Sequence, residues 1–204
     1  RPDRVRKLLD AVEAKQITPA ALSGVSRQRL LQHADTDTRA RATRLLAGTT
    51  QEFEKTFEPF RKALAGKRDI ANGKQVFANV CGSCHQAHGV GIAIGPDLSA
   101  EMKRAEETIL KDILAPSSSI TAGYSTYVVE TKDGSATAGL LISEAPGNLT
   151  IKDAAGTTHV VARKSIVSLK ALDVSLMPEG LGRALGPKGV ADLIAWLRQR
   201  KEAK

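Results

Sequence analysis

Hydrophobic positions in the first third of the chain recur at helical spacing. Val5, Leu8, Leu9 and Val12 share one helical face. Thr18–Pro19 predicts a restart, since proline suits the first position of a helix. Arg29, Leu30 and Leu31 lead to His33, read as a helix-end residue near a C-terminal dipole. Polar Asp35–Thr36–Asp37 interrupts the pattern, and a second helix follows from about 38 to 47. Two short helices around a tight polar turn look like one HEAT-type hairpin, which must lean on a neighbour to bury its face. Phe53, Phe57, Phe60 and Leu64 predict another helix over 50–64, and Lys67–Arg68 reads as a boundary.

Asp69 is a good N-cap for a helix over 70–80, with Gly73 and Phe77 on one face. Gly89, Gly91, Gly95 and Pro96 make 86–100 a loop. Residues 101–115 read as a helix that Pro116 ends. From 124 the period changes. Thr, Val, Ile and Leu dominate, with Asp133–Gly134 and further turn signals every eight to ten residues. Five strands are predicted at about 125–131, 136–143, 148–152, 157–162 and 166–170, as an antiparallel meander or small barrel. Residues 173–187 are irregular. Pro187 then opens a final helix to about Arg200, buried through Val190, Leu193, Ile194 and Leu197 with Trp196 beside them.

Composition adds little. Thirty Lys and Arg against 22 Asp and Glu give a net charge of +8, with the basic residues spread along the chain and no nucleic-acid motif. No apolar run reaches the roughly 20 residues of a membrane helix, and a chain starting at Arg1 reads as processed or partial. Aromatic residues are only 3%, so a flat apolar cofactor would supply core volume.

The chemistry concentrates in Cys81-Gly82-Ser83-Cys84-His85, the Cys-x-x-Cys-His signature of covalent haem attachment. Each thiol can add across one haem vinyl group, and the next residue then lies under the iron, so His85 can ligate it. A thioredoxin-like Cys-x-x-Cys would follow a strand, whereas a helix precedes this one. A zinc site would need a second Cys or His pair, which the chain lacks.

For the sixth ligand the methionines are Met102 and Met177, and the spare histidines are His33, His88 and His159. Met177 is favoured: it lies in an irregular segment that Pro178 stiffens, and methionine suits an electron-transfer haem. Met102 reads as core filler, His88 is too near His85 in the chain, and His159 falls in a strand. The Pro96 carbonyl is a candidate acceptor for the second ring nitrogen of His85. Tyr124 and Arg104 lie in segments that border the cofactor and are candidates for its propionates; Arg104 also reads as a solvated helix charge.

Gly73-x-x-x-Phe77, Cys81–His85, Gly95-Pro96-Asp97-Leu98 and Ala191-Asp192-Leu193-Ile194-Ala195-Trp196-Leu197 together resemble class I cytochrome c. Residues 70–200 are more narrowly similar to the haem-binding domain at the C-terminus of membrane-bound dehydrogenases of planctomycete-type bacteria. That likeness rests on Pro116–Ile120, Gly123–Tyr124, Val129–Gly134, Gly139–Leu141 and Ser175–Leu181. The resemblance implies crossed first and last helices with Gly73 at the crossing and Phe77 and Trp196 as aromatic partners. It implies a Pro96 carbonyl on His85 and Met177 as distal ligand. The predicted fold is therefore mainly α with an antiparallel β insertion: a helical HEAT-like segment at 1–66, then a cytochrome c domain at 67–204 with a β-meander insertion at 124–171.

The predicted function is electron transfer by one covalent haem c, whose iron His85 and Met177 ligate. The chain would relay electrons from an attached or partner dehydrogenase, in the periplasm or another extracytoplasmic space, with no catalysis of its own and no nucleic-acid partner. The alternatives are a haem enzyme or gas sensor with a displaceable distal ligand, and a binding module built on the hairpin and meander.

Overall fold

A computed structural model describes residues 2–17, 22 and 24–199. The predicted restart at Thr18–Pro19 and the helix end at Arg200 lie outside them. Helices α1 (Pro2–Glu13), α2 (Gly24–Leu31) and α3 (Thr36–Leu64) open the chain. The Asp35 side chain caps α3 by accepting from the Thr38 amide at 2.8 Å. Leu9, Val12, Leu22, Leu30, Ala42 and Leu46 close a first hydrophobic core.

The helices predicted at 38–47 and 50–64 are one 29-residue helix. Gly48, Thr49 and Thr50 are weak helix formers, and Pro59 lacks an amide donor. Packing overrides them. Ala42 and Leu46 anchor one end of α3 in the first core, while Phe57, Phe60 and Leu64 anchor the other in a second core. The Phe53 side chain lies outside the described set.

The second core surrounds a crossing of α4 (Ile70–Val76) with α6 (Leu181–Leu197). Phe77 and Trp196 stack with ring centroids 4.6 Å apart, and Phe77, Leu110, Val190 and Ile194 are fully buried. Left-handed Gly186 (φ 68°) breaks α6, so its regular part starts at Pro187. The helix predicted over 101–115 is two pieces. A 3-10 turn spans Leu98–Lys103, Arg104 is extended, and α5 runs Glu106–Leu114.

Asp192, with no exposed surface, ties the crossing together. Its carboxylate accepts from the Asp69 amide at 2.8 Å, from Asn72 Nδ2 at 2.8 Å and from Lys188 Nζ at 2.8 Å. Burial pushes its pKa up, but Lys188, the Asp69 amide and Asn72 outweigh burial and hold the carboxyl below the ordinary aspartate range. A depressed folded value gives stability that is present above the unfolded pKa of about 3.9 and lost as pH falls through the folded value. Urea unfolding of the parent should therefore weaken from pH 5 to pH 2.5 more steeply than that of Asp192→Asn. Equal slopes would remove Asp192 as the source.

A two-residue hairpin, β1 (Gln86–Ala87) with β2 (Val90–Gly91), interrupts the expected loop after the cysteines. The larger sheet contains β3 (Ser125–Thr131), β4 (Ala136–Glu144), β5 (Asn148–Lys152), β6 (Thr158–Ala162) and β7 (Ile166–Ser175). Its order is β6-β5-β4-β3-β7, antiparallel throughout. The first four strands form a meander, and β7 returns to the free edge of β3 instead of closing a barrel. Val129, Leu149 and Ile151 are buried in a third core on one face.

The expectation of a mainly α protein is overturned: helices make up about half the chain, and a five-stranded sheet with its own core stands beside them. Alternating strands of about five to ten residues bury enough on one face to form a layer. The fold is a mixed one with a helical bundle and an antiparallel sheet.

Candidate haem-attachment site

Local backbone geometry presents the two cysteines. After α4 the helix widens into a π turn over Phe77–Cys81, closed by Gly82 N donating to Phe77 O at 2.7 Å. The Cys84 and His85 amides both donate to Cys81 O, at 3.0 and 2.8 Å. The chain then folds back under the motif. Ile92 N donates to Gly82 O, while Ile94 N and Gly95 N donate to Cys84 O.

That return path sets the histidine. His85 Nδ1 donates to Pro96 O at 2.8 Å, which leaves Nε2 free as a metal donor. Gly95 lies flat against the ring: a Cβ there would stand 2.6 Å from His85 Cε1. Gly91, at φ 96°, passes under the His85 carbonyl, where a Cβ would come within 2.1 Å of the oxygen. Gly91 and Gly95 are therefore required by the imidazole and its backbone, and the segment is more than a turn.

Six residues line both lobes of one cleft: Cys81, His85, Pro96, Tyr124, Ser175 and Met177. The first lobe adds Cys84, Ile94, Leu140, Ala154, Leu176 and Leu181, so the sheet and the segment before α6 cover it. The second lobe reaches into the helical core through Ile109, Ile113, Leu193 and Leu197. Its polar side holds Glu101, Arg104 and Asp112. Arg104 bridges Glu101 at 2.8 Å and Asp112 at 2.6 Å. Burial works against its charge, but Asp112 and Glu101 more than compensate and raise its pKa.

Of the residues singled out from sequence, Cys81, Cys84, His85, Pro96, Tyr124, Met177 and Arg104 all line this cleft. Arg104 is committed to two carboxylates. His88 is turned elsewhere: its Nε2 pairs with Leu197 O at 3.2 Å and its ring meets Trp196 edge-on at 4.9 Å. His159 binds Asp153 at 2.7 Å on the sheet, and His33 Nδ1 accepts from the Asp35 amide just past α2. The Met102 side chain lies outside the described residues. Sequence reasoning missed Leu140 and Ala154, whose approach depends on how the sheet packs. It also missed Glu101 and Asp112, which look like ordinary helix-surface acids along the chain.

The Cys81 thiol is unlike that of a redox motif. Burial, with Cys84 adding, pushes the Cys81 thiol up to about 11, so it stays neutral at physiological pH. A thioredoxin-type nucleophile needs the reverse shift. Among the described residues no three His, Cys, Asp or Glu side chains cluster as metal-ion ligands. Two half-buried free thiols, a histidine with its Nδ1 engaged and a thioether on one apolar-walled cleft fit a covalently attached haem.

No described helix is long and apolar enough to cross a membrane. No curated protein matches the chain. A cytochrome c family model matches residues 70–156, less than half of the chain but the part that carries the two cysteines, His85, Pro96 and Tyr124. The match supports a c-type cytochrome domain, with covalent haem c, its iron and haem-based electron transfer.

Proposed function

We propose that this chain is an electron carrier with one haem c, joined by thioethers to Cys81 and Cys84, and with His85 and Met177 as its axial ligands. We read it as a class I domain of the planctomycete type, working in the periplasm or an equivalent extracytoplasmic space. Its task is to relay electrons from an attached or partner dehydrogenase. The observation that carries this reading is a single cleft lined by both cysteines, a Pro96-bonded His85 and Met177.

Haem, when bound, supplies a one-electron Fe(III)/Fe(II) couple. The chain's own residues do the rest. Pro96 and Gly95 fix the ring plane and tautomer of His85. Ile109, Ile113, Leu193 and Leu197 keep water from the inner lobe. Leu140 and Ala154 cover the outer lobe, and a drier site favours the ferrous state. Tyr124 stands between the lobes as a propionate donor. Arg104 would serve one only by sharing its guanidinium with Glu101 and Asp112.

A visible spectrum of the ferric holoprotein tests the ligand pair. A low-spin spectrum with a weak far-red sulfur-to-iron band is expected, together with slow carbon monoxide binding to the ferrous form. Met177→Ala should abolish the band and admit carbon monoxide at least tenfold faster. A high-spin parent that binds the gas at once would instead mark a haem enzyme or gas sensor.

A further inference from the structure

The route by which the chain delivers Met177 to the cleft is held by two serine hydroxyls. Strand β7 pairs in continuous register with β3 from Ser168, opposite Glu130, to Leu172, opposite Thr126; the next pair is Ser125 with Ser175. Residues 173 and 174 have no counterpart in that ladder, so the strand is bulged just before it leaves the sheet. A bulge redirects the chain beyond it. Past this one, Ser175 N donates to Ser117 Oγ at 3.1 Å, and Met177 N donates to Ser175 Oγ at 3.1 Å. Ser117 belongs to the short 3-10 turn Pro116–Ser118 and is only 6% exposed, so its hydroxyl is a fixed point in the protein interior. On the other side of Met177, Pro178 has no amide hydrogen and Gly180 is left-handed at φ 87°.

We propose that Ser117 and Ser175 are positioning residues for the distal ligand: a hydroxyl relay, Ser117 to Ser175 to Met177, that holds the methionine backbone so its sulfur stays on the iron. The proposal rests on Met177 being that ligand. A thioether carries no charge to hold it on the metal, so its retention depends on how firmly the chain presents it. Each amide-to-hydroxyl bond lost raises the detached fraction by about fivefold. The neighbouring Ser118 provides an internal control. Its hydroxyl is buried with no protein partner among the described residues, so it takes no part in the relay.

The test uses ferrous holoprotein and the rate of carbon monoxide binding, with the far-red ferric band as second readout. Ser117→Ala and Ser175→Ala should each bind the gas about fivefold faster and show a weaker band. Ser118→Ala should match the parent. Rates within twofold of the parent for both alanine variants would overturn the relay. If Ser117→Ala does not fold, half-buried Ser175 decides the matter alone. Met177→Ala run in parallel separates two kinds of failure. If it is fast while the serine variants equal the parent, only the relay is wrong. If it is no faster than the parent, Met177 is not the ligand and both ideas fall.

Discussion

A Cys81→Ala/Cys84→Ala protein, produced alongside a complete haem-attachment apparatus, is expected to give no peroxidase-type haem stain on a denaturing gel, where the parent stains strongly. Denaturation removes every non-covalent hold, so only thioether carbon–sulfur bonds can carry haem through the gel. The two thiols are the chain's only cysteines, and both face the cleft. Burial, with Cys84 adding, pushes the Cys81 thiol up to about 11. It is therefore poorly suited to disulfide exchange. Each single variant should keep one link and a reduced stain. Stain that survives in the double variant would end the attachment reading.

The second large effect is on stability. Gly73→Ala should lower the free energy of unfolding by about 2–3 kcal/mol, seen as a lower urea midpoint at unchanged slope. An added Cβ would sit 2.0 Å from the Asp192 carbonyl oxygen, 2.6 Å from its carbon and 2.9 Å from Trp196 Cβ. Two of those three atoms are backbone. The helices cannot easily separate, because the Asp192 carboxylate holds the Asp69 amide and Asn72 on the facing element. Alanine's better helix propensity returns only about 1 kcal/mol. A midpoint equal to the parent's would mean that the helices do not cross this closely.

What could be read along the chain was whatever a short pattern dictates. Cys-x-x-Cys-His specifies chemistry through spacing alone. The strands at 125–131 and 148–152 have the predicted limits, because turn residues punctuate them on both sides. What could not be read depends on tertiary packing. No local signal says that Gly48–Thr50 continue a helix; Ala42 and Leu46 at one end and Phe57 and Phe60 at the other decide it. Strand β7 runs to Ser175, beyond the predicted end at 170, because β3 offers a bare edge and because Ser117 anchors the strand's end. The weight of the sheet in the fold was underestimated for the same reason. The weight of a run of strands shows only once its private core of Val129, Leu149 and Ile151 is seen.

The unbroken α3 also limits how this protein can be dissected. Its last three turns supply Phe57, Phe60 and Leu64 to the wall behind the redox centre, while its first half belongs to the layer made by α1 and α2. A fragment trimmed at residue 66 would have a greasy scar where those side chains had been. A useful minimal piece must keep a stub of the rod reaching back past Phe57. By the same rigidity, anything fastened to the first layer would be held at a set bearing to the haem pocket, as on a lever arm and not on a tether.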